Sequence, residues 1–195
     1  KTYTTLALPF GVAIDKQGIH DDVANGKLTF YELQANNSFV AAPDVSGKDY
    51  RAEGVFVATQ PDESGRSLAN RPYMVMIDPQ GSQTNGLYTV SQAGAMIKAT
   101  PAVISGQTSN GTWNGSPLTF TSGSTFAGAT FDKADKPSLF YFSVDKFVAL
   151  ANLRKDVLKV FPFRAFYDFE GTATPAKMFT SFVPRFDDYN GGVTN

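Results

Sequence analysis

One histidine, His20, lies in Gly18-Ile19-His20-Asp21-Asp22, where an imidazole and two carboxylates are neighbours in the chain. Such a group could act as a base or as a metal ligand backed by an acid. Cysteine is absent, which excludes thiol catalysis, disulfides and thiolate metal sites. With a single imidazole, zinc would have to take its other ligands from carboxylates or carbonyls, which suit it poorly. A Ser-His-Asp triad would have to use His20, and no Gly-x-Ser-x-Gly elbow presents a nucleophile. His20 is therefore read as a solvated histidine in a polar loop running from Gly18 to Gly26.

The remaining acids come in pairs: Asp21-Asp22, Asp62-Glu63, Asp132 with Asp135, and Asp187-Asp188. Two carboxylates held at a set separation across a cleft can cleave glycosides. All of these pairs fall in stretches read as loops, where acids serve turns and solubility. Asp187-Asp188-Tyr189-Asn190-Gly191 has the oxygen-rich look of a calcium loop but lacks the acid that closes one. No catalytic residue, metal ligand or cofactor is assigned.

The best binding candidate is the sole tryptophan, Trp113, in Asn110-Gly111-Thr112-Trp113-Asn114-Gly115. An indole on a polar loop offers a flat apolar face, and Asn110 and Asn114 put amides beside it for hydroxyl groups, a combination that suits sugars. The plainer reading folds the indole back onto the sheets as a cap.

Composition limits the partners. A net charge of −1 and a pI near 5.8 provide no basic field, so nucleic acid is disfavoured. No apolar run is long enough to span a membrane. The chain starts at Lys1 without methionine and without a signal-like segment, and is read as processed or trimmed, with any export signal outside it.

Seventeen glycines and eleven prolines punctuate short apolar runs, and aromatic residues reach 13%, the profile of an antiparallel all-β protein. Strands are expected over 3–10, 27–33, 39–42, 54–59, 71–77, 86–90, 95–99 and 178–183. The 71–77 run is apolar enough to be buried on both faces. Runs 27–33 and 39–42 read as a hairpin. So do 118–121 with 124–128 across Ser122-Gly123, and 138–143 with 146–150 across Val144-Asp145. Ser105 to Pro117 reads as a loop. Residues 150–160 fit either a short helix or a strand.

The most aromatic stretch, Phe161 to Phe169, reads as a long core strand with Phe161, Phe163, Tyr167 and Phe169 on one face. Arg164 points the other way and is expected to pair with Glu32 or Asp168. The architecture expected is a β-sandwich with Greek-key links over residues 1–186, followed by a polar tail, 187–195. Two tandem sub-sandwiches dividing near residue 100 are the variant of that plan, suggested by a faint echo between 28–41 and 139–149.

Several of these segments also resemble a known module. Tyr3-Thr4-Thr5-Leu6-Ala7-Leu8-Pro9-Phe10, Leu28-Thr29-Phe30-Tyr31-Glu32-Leu33 and Asn70-Arg71-Pro72-Tyr73-Met74-Val75 resemble the Y-x-T-L-x-L-P-F, Y-E-L and G-x-P-Y strands of modules in secreted Bacteroides and Prevotella proteins. Phe140-Tyr141-Phe142, Lys146-Phe147-Val148 and Pro162-Phe163-Arg164-Ala165-Phe166-Tyr167 resemble the segments that close such a module. Arg71 stands where the module has glycine, and the stretch from Gly106 to Gly115 is longer than the module's. The resemblance implies an exported, cell-surface module, of the kind attached to leucine-rich-repeat or adhesin-like proteins, and it supplies no catalytic motif. The expectation is a non-catalytic module for adhesion or surface-protein assembly, partnered by a host or bacterial surface protein or glycan. A carbohydrate-binding module using Trp113 is the runner-up. A glycan-active enzyme is the third reading.

Overall fold

The computed structural model describes residues 2–22, 26–34, 39–41, 51–79, 90, 92–95, 97, 103–113, 116–125, 127–169 and 179–187. For 22, 40, 41, 51, 79, 103–113 and 116–118 it describes the backbone alone. Among these residues the chain is all-β. The strands are β1 (Thr2–Leu6), β2 (Ile19–Asp22), β3 (Gly26–Leu33), β4 (Phe39–Ala41), β5 (Arg51–Ala58), β6 (Tyr73–Pro79) and β7 (Val103–Trp113). They continue as β8 (Ser116–Thr125), β9 (Ala129–Asp132), β10 (Leu139–Ser143), β11 (Lys146–Ala149), β12 (Val157–Val160), β13 (Ala165–Asp168) and β14 (Ser181–Asp187). One 3-10 turn, Leu150–Asn152, precedes β12, so residues 150–160 resolve into a turn and a strand. No helix among the described residues is long and apolar enough to cross a membrane.

Twelve strands join one curled sheet in the order β1-β6-β3-β5-β14-β11-β10-β13-β8-β7, with β2 on β3 and β4 on β5, while β9 and β12 pair separately. The pairing is antiparallel except at β14, which runs parallel to β5 and antiparallel to β11. The last described strand is therefore the seam between the N-terminal and C-terminal parts of the sheet.

Alternation along β3 and β6 explains how the curl is filled. Leu28, Phe30, Tyr73 and Val75 enter one core with Val12 and Ile14. Tyr31 and Met74, one residue out of phase, enter a second, larger core. The 71–77 run is thus buried on both faces, as its composition predicts. The larger core takes Phe39, Phe56 and Met74 from one side of residue 100 and Phe120, Phe140, Phe147, Tyr167, Phe169, Phe179 and Phe182 from the other. Phe182 stacks on Phe147 at 4.5 Å, and Phe39 meets Phe120, Phe179 and Phe182 at 4.9–5.5 Å. Rings at these spacings add to the energy of burial itself.

The hairpin across Val144-Asp145 forms as expected, with Ser143 opposite Lys146. Three expected arrangements do not. β3 and β4 are not a hairpin; they lie in succession along β5, β3 opposite Phe56 to Ala58 and β4 opposite Ala52 to Gly54. Ser122-Gly123 is not a turn, because β8 runs unbroken through it with Gly123 paired to Ser105 on one side and Phe166 on the other. Ladders on both sides outweigh the local turn preference of a Ser-Gly pair.

The stretch from Phe161 to Phe169 is not one strand. β12 ends at Val160, and Pro162, lacking an N–H, cannot extend the ladder. Phe163 adopts φ 63°, a turn conformation, before β13 begins at Ala165. Tyr167 and Phe169 are core as expected, but Phe161 is 73% exposed and Phe163 is 36% exposed.

Candidate binding groove

The expected tryptophan loop is a β-hairpin arm. Trp113 ends β7 with its backbone opposite Ser116, and Asn110 lies opposite Thr119. The side chains of Trp113 and Asn110, and all of Asn114, fall outside the described residues. Asn114 and Gly115 are the two positions between the arms, and Asn-Gly is the dipeptide that short hairpins favour, so the sequence did carry the signal.

His20 is not a solvated loop residue. It lies on β2, is 9% exposed, and its Nδ1 sits 2.7 Å from the Ala13 carbonyl, an acceptor only, so Nδ1 carries the hydrogen. It works as a structural clasp between β2 and the chain before it. Several of the acids are likewise engaged. Asp21 pairs with Lys27 at 3.4 Å, and Asp187 with Arg185 at 3.0 Å. Asp62 accepts hydrogen bonds from the Ser64 hydroxyl and from the Ser64 and Arg66 amides, which hold its carboxyl below the usual range. Among the described residues no three His, Asp or Glu side chains gather as a metal site.

Arg164 corrects another expectation. Glu32 pairs with Arg71, and Asp168 pairs with Lys136 at 3.2 Å. Arg164 instead donates through Nη1 to Thr4 Oγ1 at 2.7 Å and to the Thr5 carbonyl at 2.9 Å. The curl of the sheet makes this possible by bringing β1 against the start of β13. Ala165 N–H donates to Thr5 Oγ1 and Ala7 N–H donates to the Phe163 carbonyl.

That closure shapes a groove of ≈ 340 Å³ between β1, the β10–β11 hairpin and the 158–165 segment. Thr125 secures the floor of the turn: its hydroxyl donates to the Phe161 carbonyl, its carbonyl accepts from Phe163 N–H, and its N–H donates to the Arg164 carbonyl. Held this way, Phe161 stands out at the rim. Val144, at the hairpin tip, is 92% exposed and has φ 61°, a conformation that β-branched residues avoid. Tyr3 is stacked on Phe186 at 4.7 Å, which fixes its ring beside the groove. Partial burial pushes the Tyr141 hydroxyl above the ordinary tyrosine value.

The groove therefore offers rings, hydroxyls and two cations, Lys159 and Arg164, and among the described residues no acid lines it. A broader depression beside Asp132, Lys133 and Asp156 is a weaker candidate, since Lys133 is consumed by a bond to the Leu153 carbonyl. A cavity of only ≈ 20 Å³ lies by Glu32, Arg71 and Tyr167.

Sequence reasoning missed this site because it placed Phe161 and Phe163 in the core. Pro162 was the available signal: it both breaks a ladder and restricts the residue before it. Comparison with protein-family models, with curated proteins and with solved structures found no match.

Proposed function

We propose that this chain is a non-catalytic binding module of an exported bacterial surface protein, and that it holds a glycan in the groove between β1, the β10–β11 hairpin and residues 158–165. The observation that carries the reading is the exposed, aromatic-lined groove itself, with Phe161 73% exposed at its rim. A ring face beside hydroxyl donors matches the apolar face and hydroxyl rim of a pyranose. The resemblance to Bacteroides and Prevotella modules supports the cell-surface, adhesive setting, and this reading takes the curled sheet as a β-sandwich with Greek-key links. It moves the site away from the Trp113 hairpin.

The test is affinity electrophoresis or calorimetry against a panel of polysaccharides, using wild type, Phe161→Ala, Tyr141→Ala and Trp113→Ala. Each groove variant should weaken binding by about tenfold, near 1.4 kcal/mol, with the fold intact. Trp113→Ala should bind as wild type. The opposite pattern would return the site to the hairpin.

A further inference from the structure

We infer that the glycan is anionic, a polysaccharide bearing uronate carboxylates, recognised by Arg164 and Lys159. The inference rests on the groove being the binding site. Elsewhere on the molecule four cations meet carboxylates: Arg71 with Glu32, Lys136 with Asp168, Arg185 with Asp187 and Glu53, and Lys27 with Asp21. Among the described residues no carboxylate pairs with Arg164 or Lys159, and no acid contributes to the lining.

Arg164 is also held ready. Its Nη1 is fixed by Thr4 and Thr5, on a strand some 160 residues away in the chain, so the guanidinium is oriented before any ligand arrives. Two bonds at Nη1 leave Nε–H and Nη2–H donors, which suit a carboxylate. A guanidinium already ordered loses less side-chain freedom on binding. Lys159 is exposed on β12 and supplies a second positive charge to the same groove. The rings of Phe161, Tyr3 and Tyr141 supply flat faces that a chain of acidic sugars can cover, and the two tyrosines add hydroxyls alongside. That mixture favours an acidic glycan over an acidic peptide, whose side chains would need separate pockets.

The test compares polygalacturonate, alginate and hyaluronan with their carboxyl-reduced counterparts, and includes poly-glutamate, all by calorimetry at low salt. Wild type should bind at least one uronate polymer and bind its reduced form at least about tenfold more weakly. Lys159→Ala, an exposed substitution, should weaken acidic binding while leaving the thermal midpoint unchanged. Arg164→Gln should weaken it further, and raising the salt from about 50 mM to about 500 mM should weaken wild type toward the variants. Equal binding of acidic and reduced polymers would overturn the anionic inference and leave the glycan groove standing. Binding to poly-glutamate with no polysaccharide bound, or no binding to any of them, would overturn both.

Discussion

Two buried tyrosines separate hydroxyls that are used from one that is not. The Tyr73 hydroxyl accepts a hydrogen bond from Leu68 N–H at 2.8 Å. The Tyr167 hydroxyl is buried in the large core without a hydrogen-bond partner among the described residues. Tyr73→Phe should therefore lower stability by about 1 kcal/mol, by leaving the part-buried Leu68 amide without this bond. Tyr167→Phe should be neutral or raise stability by about 1 kcal/mol, because it removes a desolvated group that gains nothing. Urea midpoints of the two variants check this, and equal losses would contradict it. At the same scale, Tyr73 was legible in the sequence as core, since the apolar run around it admits no solvent face. Arg164 was not: its partners depend on where the curl brings β1, and no local pattern encodes a contact across 160 residues.

At the scale of elements, the β5–β14 seam depends on one missing side chain. A Cβ at Gly54 would lie 2.8 Å from the ring of Phe182, which is itself 1% exposed and stacked on Phe147. Gly54→Ala should cost about 1–3 kcal/mol by forcing that ring off its rotamer or parting the strands. Loss of protection in β5 and β14 by hydrogen exchange would mark the seam as the place affected; a global loss without local bias would count against it. The parallel pairing of β14 could not be read from its residues, because strand direction is set by where the chain returns. The β10–β11 hairpin was legible because its alternation and its two-residue connection are both local. The break after β12 turned on weighing Pro162 as a terminator against an aromatic alternation, and the terminator prevails because the missing N–H cannot be replaced.

For the whole molecule, burial drives the pKa of both Tyr73 and Tyr167 upward. Each stays neutral in the folded chain at pH values where an unfolded tyrosine ionises, near 10. Above that pH the folded state binds more protons than the unfolded state, so unfolding free energy falls as pH rises. The contribution is fully present below about pH 10 and is lost above it, by at most about 1.4 kcal/mol per pH unit for each group. Urea midpoints should thus hold steady up to about pH 9 and drop sharply by about pH 11, and a flat profile would argue against deep burial of these rings.

The proposed glycan site is the groove, and not the Trp113 hairpin. Its most direct test is amide chemical-shift mapping during titration with a polysaccharide that the chain retains. Shifts confined to residues 3–5, 141–144 and 158–165 are the expected result. Shifts centred on 110–116, with the groove silent, would contradict it.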